Sequence, residues 1–121
     1  MAIVENLMST GIPPGAAKSI VGTISGSLTA TGTNQATALQ LYHDFNVFDT
    51  VALNTGCKLS AAIQICFVVN GGDEGLAVYP PTGGAINGGS TNAAVSLASG
   101  GRMLIFKINE TTNGYATILS A

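Results

Sequence analysis

From Leu39 to the C-terminus the chain breaks into short apolar runs, each closed by turn-forming residues, and this rhythm limits the fold more than any other feature. The runs are Leu39–Leu41, Phe45–Val51, Ile63–Val69, Leu76–Tyr79, Ala94–Leu97, Met103–Ile108 and Tyr115–Leu119. β-branched and aromatic runs recurring at such short, regular intervals are the pattern of a sandwich or barrel. Asn70-Gly71, Asn87-Gly88 and Asn113-Gly114 supply the residue pair favoured where a tight turn needs positive φ. Pro80-Pro81 ends the run before it, because proline cannot donate to a strand ladder. No long helical pattern interrupts this zone, so a parallel α/β sheet is not expected. The sequence predicts a mainly β fold: a compact antiparallel β-sandwich or barrel over 36–121. Phe67 and Phe106 are expected inside it; Phe45, Phe48, Phe67 and Phe106 are the chain's main large anchors, suited to broad interfaces.

The N-terminal segment, 1–25, reads differently. Ile3, Val4, Leu7 and Met8 recur at helical spacing and stop at Gly11. Pro13-Pro14 then opens a second segment, whose apolar stripe is Ala16, Ala17, Ile20, Val21 and Ile24. A short N-terminal helical hairpin over 1–25 is predicted, joined by a small polar linker over 26–35. Helices this short are marginal alone in water. Leu7, Met8, Ile20, Val21 and Ile24 are therefore candidate partner-docking residues, to be buried against a neighbouring subunit or another surface.

Composition narrows the function. Only ten of 121 residues are charged, 8% against roughly a quarter in an ordinary soluble domain. Gly, Ala, Thr, Ser and Asn make up 63 of the 121 and take the place of the missing charge. Ten charges cannot spread over a free monomer's surface as solubility normally requires, so an oligomer or a component of a large shell is expected. Four Lys and Arg residues, scattered and without interleaved aromatics, give no nucleic-acid patch. No apolar run approaches the ~20 residues of a membrane span, and no basic n-region marks a secretory leader. Cys57 and Cys66 are expected as buried, reduced thiols.

Candidate chemistry is sparse. His43 adjoins Asp44, but neighbours on a strand point to opposite faces, which suits an interface histidine better than an acid–base pair. Asp73-Glu74 on a glycine loop supplies too few oxygens for calcium, which takes six to eight. Gly83–Gly89 lacks the Gly-Lys-Ser/Thr that a phosphate loop needs. No catalytic, metal-binding or cofactor-binding residues are expected, and the chain is not expected to be an enzyme.

Two stretches carry a resemblance. Residues 77–100, Ala-Val-Tyr-Pro-Pro-Thr-Gly-Gly-Ala-Ile-Asn-Gly-Gly-Ser-Thr-Asn-Ala-Ala-Val-Ser-Leu-Ala-Ser-Gly, resemble a segment of small tailed-bacteriophage and prophage virion structural proteins: a strand ending Val-Tyr-Pro, a Gly-Gly turn, Ile-Asn-Gly, an Ala-rich strand and a glycine turn. Leu7–Ala17 resembles the short helical heads of the same group. The motifs are structural, not catalytic. The resemblance implies a head decoration, or cement, protein: a homotrimer on the capsid surface, bound to the major capsid protein, assembled in the host cytoplasm and needing no cofactor. The alternative is a tail-fibre or spike module for host adhesion, which would be expected to expose aromatics, whereas the chain has no Trp and three Tyr.

Overall fold

The computed structural model describes residues 24–120. The helical hairpin and four of its five docking residues, Leu7, Met8, Ile20 and Val21, lie outside the described residues; Ile24 lies within them. Among the described residues, ten strands build two sheets. They are β1 (Ile24–Thr29), β2 (Leu39–Gln40), β3 (Phe45–Thr50), β4 (Gly56–Lys58), β5 (Ile65–Asn70), β6 (Leu76–Tyr79), β7 (Ala85–Ile86), β8 (Val95–Leu97), β9 (Arg102–Asn109) and β10 (Gly114–Ser120). No helix occurs among the described residues. Ile24–Thr29, read from the sequence as the end of the helical segment and the start of a linker, is strand β1.

The six-stranded sheet has the order β1-β3-β5-β9-β10-β7 and the four-stranded sheet the order β2-β4-β6-β8. Both contribute side chains to one core, which makes a sandwich and not a closed barrel. Inward residues Phe48, Val68, Met103 and Ile105 of the larger sheet join Cys57, Leu76, Val78 and Leu97 of the smaller one.

The expectation of an antiparallel domain is corrected: both sheets are mixed. β1, β3 and β5 run parallel to one another, and so do β2, β4 and β6. Successive strands alternate between the sheets, so the chain winds through both layers and returns beside its previous turn. One turn runs from Ile24 to Phe45 and the next from Phe45 to Phe67, and these three side chains sit side by side. Parallel neighbours need a long crossover, usually a helix. Here the opposite sheet is the crossover, which is why a chain without a helix among its described strands can be parallel.

The C-terminal third reverses direction. β8 lies antiparallel to β6, and β9 lies antiparallel to β5 and to β10. The β9–β10 hairpin turns at Asn113, with φ of 51°, while the Asn109 side chain accepts bonds from the Thr111 and Thr112 amides. Asn87-Gly88 has positive φ at both residues, as expected. Asn70-Gly71 does not: Asn70 is a fully buried strand residue.

Candidate functional site

Strand alternation gives the six-stranded sheet two unlike faces. Along β5, Cys66, Val68 and Asn70 point into the core, while Ile65 and Phe67 point outward and are exposed. Phe67 and Phe106, expected in the core, therefore both stand on the outer face; of the four phenylalanines only Phe48 is buried. Periodicity of two separates the faces of a strand but does not say which face is covered.

The outward residues line up across strands. Ile24 on β1 is opposite Phe45 on β3, Phe45 is opposite Phe67 on β5, Phe67 is opposite Leu104 on β9, and Leu104 is opposite Ile118 on β10. This is one apolar row crossing five strands. Ile24 and Ile118, at its ends, are 59% and 58% exposed. Phe45 and Phe67 stack with ring centroids 5.1 Å apart and planes within 5°, an arrangement the in-register parallel pairing imposes. Ile65 and Phe106 form a second pair beside the row. A shallow depression of about 260 Å³ opens along it between Phe67, Val69, Arg102, Leu104 and Ile118. Arg102 brings the depression its one charged side chain.

No protein-family model, curated protein or solved structure matches this chain.

The residues considered for chemistry are dispersed. His43 and Asp44 lie in the 41–44 connection ahead of β3 and not on a strand, where their carbonyls accept bonds from Asn46 Nδ2 (2.8 Å) and the Phe67 amide (2.7 Å). Asp73 and Glu74 are exposed in the β5–β6 loop, and the Glu74 carbonyl accepts a bond from Asn70. In the glycine loop the Gly83 amide donates to Asn92 Oδ1 (2.7 Å), so that amide is already committed within the fold. The same Asn92 oxygen accepts from Gln35 Nε2, which also bonds the Pro80 carbonyl, tying three loops together. Among the described residues no group of three or more His, Cys, Asp or Glu side chains comes together.

Cys57 and Cys66 are both free and buried. Burial, and then the nearby Asp44 carboxylate, pushes the Cys66 thiol up to about 12; burial, and then Cys66, pushes Cys57 up further. Burial also raises Tyr115 to about 12; its hydroxyl faces the Ser60 and Ile63 carbonyls, 3.3 and 3.2 Å away, and Lys107 lies 5.6 Å from its ring centroid. The folded state favours each neutral form. For the thiols, this contribution to stability is complete below the ordinary value of 9.0 and is lost as pH rises from there toward about 12. The melting temperature should therefore fall across that window. A thiol reagent at pH 8 should label neither cysteine until the protein unfolds; rapid labelling of the native protein would contradict the buried placement.

Proposed function

We propose that this chain is a non-enzymatic bacteriophage capsid decoration protein that binds the outer head surface as a homotrimer, with the outer face of its six-stranded sheet as the contact surface. One observation carries the reading: the apolar row Ile24–Phe45–Phe67–Leu104–Ile118 across five strands, in a chain with ten charges. Exposed apolar patches of this continuity mark interaction sites. Obligate contacts are the more hydrophobic class of interface. A shell component needs a rigid scaffold and a broad contact more than a reactive group, and the scaffold here is tied by asparagine side chains to its own loops. The phage assignment itself comes from the resemblance of residues 77–100 to virion proteins.

The test is the double variant Phe67→Asp, Ile118→Asp. Both side chains are exposed, at 42% and 58%, so the fold should survive with a melting temperature near that of the parent. Two carboxylates on the face should abolish the trimer in light scattering and co-sedimentation with heads stripped of the protein. Unchanged assembly and unchanged head binding would sink the proposal. Electron microscopy of the virion separates the adhesion alternative, since cement occupies hundreds of lattice positions and a fibre only a few.

A further inference from the structure

Three Asn-Gly pairs lie among the described residues, and the fold treats their side chains differently. An asparagine followed by glycine carries its own electrophile and nucleophile: the side-chain carbonyl carbon Cγ, and the next amide nitrogen, which no β-carbon shields. The two react only when the side chain is free to turn toward that nitrogen. Asn70 is fully buried and its side chain holds three hydrogen bonds, while the Gly71 amide is itself committed to the Phe48 carbonyl at 2.7 Å. Asn87 is clamped to β10 by both ends of its side-chain amide. Its Nδ2 donates to Thr117 Oγ1 at 2.8 Å, and its Oδ1 accepts from the Thr117 amide at 2.9 Å. Asn113 is the exception. Half-buried in the β9–β10 turn, its side chain makes no hydrogen bond among the described residues. Gly114 is the end rung of that ladder, set off from Tyr115 by a register shift, and end rungs open first.

We propose that Asn113 is a site of spontaneous deamidation, and that its isoaspartate product loosens the glycine loop packed against it. The Gly114 nitrogen bonds to Asn113 Cγ, the Cγ–Nδ2 bond breaks, and Nδ2 leaves as ammonia with the proton that Gly114 gives up. Water then opens the cyclic imide at either carbonyl and yields aspartate or isoaspartate. Water is the only co-reactant. Aspartate keeps the backbone as it was; isoaspartate routes the main chain through Cβ and Cγ, lengthens it by one atom, and turns the former backbone carbonyl into a carboxylate. That carbonyl is where the loop is held. It accepts a bond from the Ala85 amide at 3.3 Å, and Gly84 sits so close that a Cβ there would lie 2.6 Å from the same oxygen. Strand β7, Ala85–Ile86, pairs among the described residues only with β10, through Gly114 and Tyr115. Moving the carbonyl therefore takes away the bond that fixes Ala85 at the start of β7. Either product also adds one negative charge to a chain whose formal net charge is −2. The inference does not depend on capsid binding.

The experiment ages the full chain in mildly alkaline buffer, native and unfolded in urea, and follows all three pairs by peptide mass spectrometry that resolves aspartate from isoaspartate. In urea the three asparagines should react at similar rates, because each is followed by glycine. In the native protein Asn113 should react while Asn87 and Asn70 are slower by about tenfold or more, since their hydrogen bonds must break before the side chain can turn. An acidic species should accumulate on ion exchange, and Asn113→Gln, whose longer side chain closes the ring far more slowly, should remove most of it. Thr117→Val, which takes away the hydroxyl that holds Asn87 Nδ2, should speed reaction at Asn87 severalfold. In the separated isoaspartate form the Ala85 amide should exchange its hydrogen faster than in the parent, and in the aspartate form it should not. Native Asn113 left intact while the unfolded chain reacts, or native Asn87 reacting as fast as Asn113, would overturn the assignment of the site. Unchanged exchange at Ala85 in the isoaspartate form would overturn its effect on the loop. These readouts use the isolated protein, so they can fail while head binding stands, and the reverse.

Discussion

Phe48→Ala should destabilise the domain by about 3–5 kcal/mol, the cost of removing a fully buried aromatic from a core that cannot close around the gap. Phe48 is wholly inaccessible and belongs to the cluster in which both sheets meet. A domain of this size has only ~5–15 kcal/mol to lose, so the shift in denaturation midpoint will be large. Phe67→Ala is the control. At 42% exposed, and stacked on one face only, it should cost about 1 kcal/mol. Equal losses at the two positions would mean that the sheet faces have been assigned the wrong way round.

Asn70→Leu should be comparably damaging for a different reason. Asn70 is buried, its amide donates to the Glu74 carbonyl at 2.8 Å and the Leu97 carbonyl at 2.9 Å, and its Oδ1 accepts from the Gly72 amide at 3.0 Å. The two donated bonds join the β5–β6 loop to the end of β8, where the chain changes from parallel winding to antiparallel return. Leucine is close in size but leaves three backbone groups without partners, at about 1–3 kcal/mol for each that water cannot reach. A loss of several kcal/mol in chemical denaturation is expected, together with faster hydrogen exchange at Gly72. A near-neutral outcome would show that those groups find other partners.

Most strands were legible in the residues themselves. Leu76–Tyr79 matches β6, and Met103–Ile108 and Tyr115–Leu119 lie within β9 and β10, because β-branched and aromatic runs bounded by Pro, Gly and Asn have few other uses. Three elements escaped. β1 reads Ile-Ser-Gly-Ser-Leu-Thr, β4 reads Gly-Cys-Lys, and β7 is Ala-Ile inside a glycine-rich loop; each is too short or too polar to announce itself, and each is held by its neighbours in the sheet.

Composition and local pattern were enough to determine that this chain is mainly β, that turns fall at Asn87-Gly88 and Asn113-Gly114, that a strand stops before Pro80-Pro81, and that its surface is short of charge, because each of these follows from residue types and from side chains acting within a few positions of one another. Strand direction, the partner of each strand and the side on which the core lies were decided only in the tertiary structure. Alternation marks two faces on a strand such as Ile65–Asn70, but Cys66 and Val68 are inside and Phe67 outside because the four-stranded sheet covers that one side, a relation between residues far apart in the chain. The apolar row from Ile24 to Ile118 has the same origin: five residues spread over most of the chain become neighbours only when the coils stack in register.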